Sequence, residues 1–349
     1  MRRRVSRVVR VGDVHIGGDH PITVQSMLSV PSTDISGNVA QALRLQKAGC
    51  EIIRVAIPNM DAVKLISELK AKITMPVVAD IHFDYRLALA AVDAGVDKVR
   101  INPGNIGSME KVRLVANACK EKGIPIRIGV NSGSLEKDIL KKYGRPTAEA
   151  LCESALHHVQ LLEQCDFHDI VISMKSSDVQ TMVEAYELMA GKCDYPLHLG
   201  VTETGSERMG VVKSACGIGS LLSHGIGDTI RVSLTADPER EVEVGFDILR
   251  SLKLRSKGVQ IISCPTCGRT RINIIDLVRK AEERFKHIDK DIVVAIMGCV
   301  VNGPGEAREA DVGIAGGKGE GLLFKKGEIL RKVPEEKLLD ELEREILSI

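Results

Sequence analysis

Three cysteines near the C-terminal end of the chain have the spacing of metal ligands. Cys264 and Cys267 flank a Pro-Thr pair in CPTCG, and Cys299 follows in MGCVVNGPGE. CPTCG alone fits half of a zinc ribbon as well as an iron–sulfur site, but a ribbon needs a second close pair of cysteines or histidines, which the sequence lacks. Three thiolates with an exchangeable fourth ligand are typical of a cubane cluster with one reactive iron. Glu306 is the best candidate for that fourth ligand, and a solvated loop acid is its alternative role.

A second group of candidate residues lies at the ends of predicted β-strands. Five of the strands each have one cation near their end. Because side chains alternate along a strand, a polar residue an even number of positions from the cation lies on the same face of the strand. The cations are Arg54, Arg100, Arg127, Lys175 and Arg231, the polar residues on the same faces are Asn102, Asn131 and Ser233, and the further acids and imidazoles are Asp80, His82, His198 and Glu203.

These cations predict a pocket for a small anion that carries several charges. Burying a cation costs several kcal/mol unless it is paired, and the nearby carboxylates, Asp80 and Glu203, are too few. For any one arginine taken alone, an ion pair with a neighbouring carboxylate is the simpler interpretation. For the group, a diphosphate is the expected ligand class, because arginine binds phosphate oxygens with paired hydrogen bonds.

The elements that position these residues repeat one plan. Short Val/Ile-rich runs alternate with amphipathic helical patterns, as is typical of parallel strands covered on both faces. Eight such units predict a (β/α)₈ TIM barrel rather than a doubly wound open sheet, since no glycine-rich phosphate loop follows the first strand. The predicted strands are residues 21–27, 50–57, 76–81, 98–103, 125–131, 169–175, 196–203 and 228–235.

The pattern changes after the eighth unit. We predict a barrel domain over residues 1–257 and a separate small α+β domain over 258–349 that carries the cysteine segments. This second domain should hold a strand, a helix near 272–286, a strand into Cys299, a glycine-rich hairpin and a charged terminal helix.

Composition excludes several classes of partner. The net charge of +1, the absence of Trp and the 3% aromatic content argue against binding to nucleic acid or to an anionic membrane. The longest apolar run is too short to cross a bilayer, and the basic N-terminus lacks the apolar core of a secretory signal, so we expect a cytoplasmic protein. The remaining cysteines are predicted to be small core residues: Cys50, Cys119, Cys152, Cys165, Cys193 and Cys216.

The motifs resemble one enzyme family along the whole chain. CPTCGRT and MGCVVNGPGEAREADVGIAGG, with the strand ends VRINPGN, RIGVNSGSLE, MKSSD, LGVTE and IRVSLT, resemble the 4-hydroxy-3-methylbut-2-enyl diphosphate synthases. These are reductases of the non-mevalonate isoprenoid pathway. The chain looks like the short, two-domain bacterial form.

The resemblance implies a cofactor, a substrate and partners. It implies a [4Fe–4S] cluster held by Cys264, Cys267, Cys299 and Glu306. The implied substrate is 2-C-methyl-D-erythritol 2,4-cyclodiphosphate, whose ring is opened with two electrons and loss of water, with Glu203 as the acid near the departing hydroxyl. An external flavodoxin or ferredoxin would supply the electrons, and a head-to-tail homodimer would place one chain's cluster domain over the other chain's barrel. The residues implied to bind substrate are Arg54, Asp80, Arg100, Asn102, Arg127, Asn131, Lys175, His198, Arg231 and Ser233.

Three other interpretations compete with this one. A barrel with a zinc-ribbon-like binding module would contain zinc and would have no use for the strand-end cations. A radical enzyme of the S-adenosylmethionine type would need a C-x-x-x-C-x-x-C motif near the first strand, which is absent. A pterin-type barrel synthase explains an anion site but not the cysteines.

Overall fold

The computed structural model of the chain describes residues 3–256, 258–300, 305 and 307–349. The chain divides into two compact units, Met1–Arg255 and Ser256–Ile349.

The first unit is a barrel of eight parallel strands within residues 23–230, as predicted. A short antiparallel hairpin, β1 (Val9–Val11) and β2 (Val14–Ile16), precedes it. In the barrel each strand pairs with its neighbours in the order β8-β7-β6-β5-β4-β3-β10-β9, and a bridge from Ile172 to Leu197 joins the two ends. The barrel strands are β3 (Thr23–Met27), β4 (Ile52–Ala56), β5 (Val77–Asp80), β6 (Lys98–Ile101), β7 (Ile126–Asn131), β8 (Ile170–Lys175), β9 (His198–Leu199) and β10 (Thr229–Ile230).

Helices surround the strands. Several begin at a capping side chain, as at Thr147, whose hydroxyl accepts a hydrogen bond from the Ala150 amide. The helices of this unit are α1 (Ile35–Lys47), α2 (Lys64–Lys70), α3 (Tyr85–Asp93), α4 (Pro103–Ile106), α5 (Met109–Glu121), α6 (Lys137–Tyr143), α7 (Ala148–Glu163), α8 (Val179–Ala190), α9 (Glu207–Ser223) and α10 (Pro238–Ser251).

The main apolar core of this unit lies between the strands and the helices, and a separate small apolar cluster joins the β1–β2 hairpin to Ile52 and Val78. On β7, Ile126, Ile128 and Val130 belong to that core, whereas the alternate positions Arg127 and Gly129 do not. The same alternation recurs on the other strands, so the inner face is largely polar although both faces are buried. Inward positions outside the core include Thr23, Gln25, Arg54, Asp80, Lys98, Arg100, Arg127, Ser173, Lys175, His198 and Thr229.

The last two barrel strands are shorter than predicted. The predicted runs 196–203 and 228–235 form strands only at His198–Leu199 and Thr229–Ile230. Beyond Leu199 the chain reaches Glu203, whose φ of +52° is left-handed and cannot continue a strand. The Arg231 amide still donates to the Leu199 carbonyl, but beyond it backbone groups bond to side chains, as where the Leu234 amide donates to the Glu241 carboxylate.

The second unit is a five-stranded mixed sheet with two helices packed on it, counted over 258–300, 305 and 307–349. β11 (Val259–Ser263), β12 (Ile292–Met297) and β13 (Val312–Gly316) run parallel, and β14 (Glu320–Lys325) and β15 (Glu328–Pro334) add antiparallel strands. The hairpin between β13 and β14 is the predicted glycine-rich one. The apolar core of the second unit includes Phe285 of α11 (Ile274–Phe285) and Leu342 of α12 (Leu338–Ser348).

The prediction that the six remaining cysteines are core residues is correct for four and wrong for two. Cys50, Cys119, Cys152 and Cys165 are buried, whereas Cys193 is half-buried and Cys216 is exposed. Cys216 lies on α9, where the buried positions such as Ser214 and Ile218 turn toward the barrel and leave Cys216 facing solvent.

Candidate active site

Register places the strand-end cations side by side around one end of the barrel. Arg100 on β6 is paired in register with Asp80 on β5 and with Arg127 on β7. Asn131 and Lys175 are likewise register partners at the ends of β7 and β8. Because the carboxyl ends of all the parallel strands face the same way, these residues surround one opening, called here the barrel mouth.

Asp80 is the carboxylate that two of the arginines share. Its oxygens lie 3.0 Å from Arg100 Nη1 and 3.6 Å from Arg54 Nε. Burial raises the pKa of Asp80, but Arg54, Arg100 and Arg127 outweigh it and hold the value at about 2. Burial, opposed by Asp80, lowers the pKa of Arg54 to about 10.

A second acid, which the sequence reasoning missed, pairs with Arg231. Glu241 on α10 accepts from Arg231 Nη2 at 2.9 Å and Nε at 3.2 Å, and also from Ser26 Oγ at 3.0 Å. From the sequence alone, Asp80 and Glu203 are the carboxylates expected near these cations, and Glu241 is not among them. The sequence contains only a weak signal for this role, because Glu241 is one of several acids in the first turns of a predicted helix.

The other cations have no acidic partner within residues 3–256. Arg127 is 1% exposed, and its Nε and Nη1 atoms have no hydrogen-bond partner there. Lys175 makes no ion pair in that part of the chain, and burial together with Arg231 and other arginines holds its pKa well below the ordinary value. Both ring nitrogens of His198 and the Ser233 hydroxyl are also buried without a partner in this region. Unpartnered buried donors of this kind are what an anion site requires.

Lys98 is a further buried cation that the sequence reasoning did not select. It is the first residue of β6, two positions before Arg100, so both side chains point into the barrel. It is 0% exposed, and Nζ has no hydrogen-bond partner within residues 3–256. The repeating K-x-R-x-N pattern of KVRINP was the signal available in the sequence.

Two glycines make room for the cations. A Cβ atom on Gly129 would lie 2.2 Å from Arg100 Nε, and one on Gly200 would lie 2.9 Å from Lys175 Nζ. Gly129 also accepts a hydrogen bond from Arg100 through its carbonyl oxygen, at 3.3 Å. The position of the Arg100 guanidinium therefore depends on the absence of a side chain at Gly129, and the position of the Lys175 ammonium depends on the absence of one at Gly200.

The remaining candidates lie at the strand ends or directly after them. Asn102 is buried and caps α4, with Oδ1 accepting from the Gly104 amide at 3.1 Å. His82 Nε2 lies 3.5 Å from Arg100 Nη1. Asn131 is half-buried at the end of β7. Each of the three is thus close in register or in distance to the arginines.

Glu203 lies in the loop after β9. Its side chain is exposed and its backbone is left-handed, a conformation that costs a non-glycine residue of order 1 kcal/mol and recurs at functional sites. The next residue, Thr204, donates its hydroxyl hydrogen to the Ser233 carbonyl at 2.6 Å, which ties this loop to the segment after β10.

In the second unit, two parallel strands bring two of the predicted ligand segments to the same end of the sheet. Ser263 at the end of β11 is paired with Ile296 on β12, so Cys264 and Cys299 both follow the carboxyl ends of neighbouring strands. Cys264 Sγ accepts from the Gly298 amide at 3.2 Å. Hydrogen bonds from Arg269 keep the pKa of the exposed Cys267 thiol below its ordinary value.

The predicted fourth ligand, Glu306, lies outside the described residues. All three cysteines are free thiols. Within residues 3–256, 258–300, 305 and 307–349, however, His, Cys, Asp and Glu side chains form no group of three or more that could hold a metal ion as they stand. Cys264 and Cys299 thus follow the same end of the sheet, and the three free thiols have a donor chemistry suited to iron or zinc.

Comparison with known proteins identifies the family. Residues 6–246 match the family GcpE TIM-barrel domain, and residues 260–348 match the family GcpE protein C-terminal domain. The chain belongs to the GcpE family. Among its relatives called 4-hydroxy-3-methylbut-2-en-1-yl diphosphate synthase (flavodoxin), that of Clostridium perfringens is 59% identical over the full length of both chains. That of Clostridium acetobutylicum is 60% identical over 99% of both, and that of Bacillus mycoides is 55% identical over 99% of this chain and 94% of its own.

Solved structures support the fold of the GcpE barrel. The dihydropteroate synthase of Stenotrophomonas maltophilia is 15% identical, covers 71% of this chain and 97% of its own, and superposes with a TM-score of 0.53. The dihydropteroate synthase of Xanthomonas albilineans covers 70% and 97%, with 14% identity and a TM-score of 0.52. At these identities the likeness concerns the barrel architecture alone. In the described parts of the chain, no helix is long and apolar enough to cross a membrane.

Asp80→Asn should destabilise this GcpE-family protein in a pH-dependent way. The pKa of Asp80 is about 2 in the folded state against 3.8 in the unfolded state. A lowered folded pKa gives stability that is present above about pH 4 and is lost as the pH falls toward 2. We expect the free energy of unfolding, measured with urea, to fall by about 2 to 4 kcal/mol at pH 7. This difference from the parent protein should shrink below about pH 4. The control is Asp61→Asn, the same chemical change at an exposed acid that forms no ion pair within residues 3–256. A difference that grows on acidification would contradict the role of Asp80.

Gly129→Ala should weaken anion binding at the mouth. The new Cβ would overlap the Arg100 guanidinium, which must then move away from Asp80 and from the opening. We expect binding of inorganic pyrophosphate, measured by calorimetry, to weaken by about tenfold to a hundredfold. Gly219→Ala is the matched control, because a Cβ at Gly219 on α9 meets nothing within 4 Å. Equal affinity in the two variants would exclude Arg100 from the anion site.

Proposed function

We propose that this protein catalyses the two-electron reductive opening of 2-C-methyl-D-erythritol 2,4-cyclodiphosphate, with loss of water, to (E)-4-hydroxy-3-methylbut-2-enyl diphosphate, a reaction of isoprenoid synthesis by the non-mevalonate pathway. The observation that carries the proposal is the excess of buried, unpartnered positive charge at the mouth, led by Arg127 and Lys175. The relatives named as synthases of this diphosphate, similar over the whole chain, indicate which anion it serves.

The mouth has the charge and the donors for a cyclic diphosphate. Asp80 and Glu241 already engage Arg54, Arg100 and Arg231, which fixes the orientation of those guanidinium groups. A diphosphate would take the free hydrogens of these arginines in addition to Arg127 and Lys175. Asn102, Asn131, His198 and Ser233 are proposed to bind the same substrate, with uncharged donors and acceptors around the ring.

We propose that the second unit holds a [4Fe–4S] cluster on Cys264, Cys267 and Cys299, with Glu306 as the fourth ligand. The donor set fits, because three free thiols follow neighbouring strand ends and Cys264 already accepts a backbone hydrogen bond, as cluster sulfurs do. Such a cluster supplies electrons one at a time when it is bound. The name of the relatives, which includes flavodoxin, supports flavodoxin as the external electron donor.

Glu203 is the proposed general acid. Its exposed carboxyl group lies in a strained loop over the mouth, where it can deliver a proton to the hydroxyl group that leaves as water. The arginines hold the diphosphate in place while the C–O bond of the ring opens. A head-to-tail homodimer, which the family resemblance implies, and a cytoplasmic location, which the sequence predicts, remain predictions that sedimentation and cell fractionation would check.

Protein purified without oxygen should contain about four iron atoms and four sulfides per chain, as a cubane requires. It should be brown, bleach in air, and turn over the cyclodiphosphate with reduced flavodoxin. Cys264→Ser should lose the iron and the colour, whereas Cys216→Ser, at the exposed thiol on α9, should keep both. One tightly bound zinc and no sulfide would assign the cysteines to a structural site and remove the electron path.

Glu203→Gln should separate proton delivery from binding. The amide keeps the size of the side chain but cannot act as an acid, so we expect the turnover number to fall by about a hundredfold or more. Iron content and affinity for the cyclodiphosphate should stay unchanged. Glu207→Gln, an exposed acid in the first turn of α9, is the control. A turnover number equal to that of the parent protein would exclude Glu203 as the acid.

A further inference from the structure

Lys98 occupies a second, deeper level of positive charge beneath the mouth. Its side chain is 0% exposed and its Nζ has no hydrogen-bond partner in residues 3–256. It stands two residues before Arg100 on β6, so it lies about 6.6 Å deeper along the strand on the same inward face. Toward the mouth the same face carries Arg100, whereas the register partner of Lys98 on β5 is Val78, which belongs to a small apolar cluster with Ile52 and the β1–β2 hairpin.

The strands around Lys98 offer it no free carboxylate. Asp80 is engaged by Arg54 and Arg100, and Glu241 is engaged by Arg231. His198, whose ring nitrogens are also without partners in this region, lies within electrostatic reach of Lys98. The charged and titratable groups that line this interior are Arg54 on β4, Asp80 on β5, Arg100 on β6, Arg127 on β7, Lys175 on β8, His198 on β9, Arg231 after β10 and Glu241 on α10.

Such an excess of buried positive charge can be lowered in two ways: one of the groups releases a proton, or an anion binds. The arginines keep their protons, since a guanidinium titrates far above neutral pH. A buried lysine releases its proton much more readily. Burial, with Arg127 and Arg54 nearby, places the pKa of Lys98 well below its ordinary value, in agreement with that expectation.

A diphosphate at the mouth changes this balance. Its negative charges lie in a site of low dielectric constant, where opposite charge favours the protonated form of a nearby amine. Along the strands Arg127 lies between Lys98 and Lys175, since it is the register partner of Arg100 and stands four residues before Asn131, the partner of Lys175. Lys98 therefore need not touch the anion in order to respond to it.

We propose that Lys98 is an uncharged amine while the mouth is free of anion, and that it takes up one proton from solvent when a diphosphate binds. The ammonium group formed in this way completes the neutralisation of the ligand from below. Lys98 is in this sense a positioning residue for the anion site. The identity of the natural ligand rests on the proposed function, but the proton uptake requires only a diphosphate group.

The test is the number of protons taken up on binding. Calorimetric titration of the oxygen-free holoprotein, without reductant, is run with inorganic pyrophosphate and with the cyclodiphosphate in buffers of different ionisation enthalpy near pH 7.5. The slope of the observed enthalpy against the ionisation enthalpy of the buffer gives the proton number. Lys98→Met keeps the length of the side chain without the amine, and Lys72→Met on an exposed turn is the matched control. The titration of the anion itself is common to all the proteins and cancels in the difference.

We expect Lys98→Met to take up about one proton fewer than the parent protein and to bind pyrophosphate roughly tenfold more weakly. Lys72→Met should match the parent in both respects. Equal proton numbers for Lys98→Met and the parent overturn the inference, as does a parent protein that takes up no proton. If Lys98→Met does not fold, Lys98→Gln replaces it.

The two probes separate this inference from the proposed function. Pyrophosphate binding with a proton number that depends on Lys98, but no binding of the cyclodiphosphate, supports the inference and contradicts the proposed substrate. Binding of neither anion to the parent protein overturns both.

Discussion

The stability of the barrel depends on how the fold compensates for cations that are buried in its interior, away from water. Arg54, Arg100 and Arg127 lie on β4, β6 and β7, and one carboxylate, Asp80 on the intervening β5, is shared by the first two. Each uncompensated charge costs free energy that the fold must supply elsewhere. The outer layer between strands and helices supplies it, because that layer is almost wholly apolar and tightly buried. The barrel is thus stable around an interior that is prepared for a ligand rather than for its own packing.

The two acids of the interior have a different role from that of a catalyst. Asp80 and Glu241 each bind more than one donor, and Glu241 joins β3, the segment after β10 and α10 through Ser26, Arg231 and the Leu234 amide. They orient the guanidinium groups and leave a net positive field toward the opening. A mouth with equal numbers of acids and cations would be more stable and would bind anions less well.

Much of this could be predicted from the sequence, for reasons that are local. The barrel follows from the repeated strand and helix patterns, and the cations at strand ends follow from side-chain alternation. Glu241 could not be predicted, because its partnership with Arg231 depends on how α10 packs against the barrel. Lys98 was missed because it begins its strand, and a strand's first residue is usually near the surface. The roles of Gly129 and Gly200 depend on distances across strands that no sequence pattern contains.

The polar lining of the barrel also affects the thermal behaviour of the unit. Unfolding exposes Thr23, Gln25, Thr229 and the inward cations to water together with the apolar outer layer. Exposed apolar surface raises the heat capacity, whereas exposed polar surface lowers it. The heat-capacity change on unfolding is therefore smaller than for a barrel of the same length filled with Val, Ile and Leu. A smaller change gives a flatter curve of stability against temperature, so the mouth keeps its arrangement over a wider range of temperature than an apolar interior would allow.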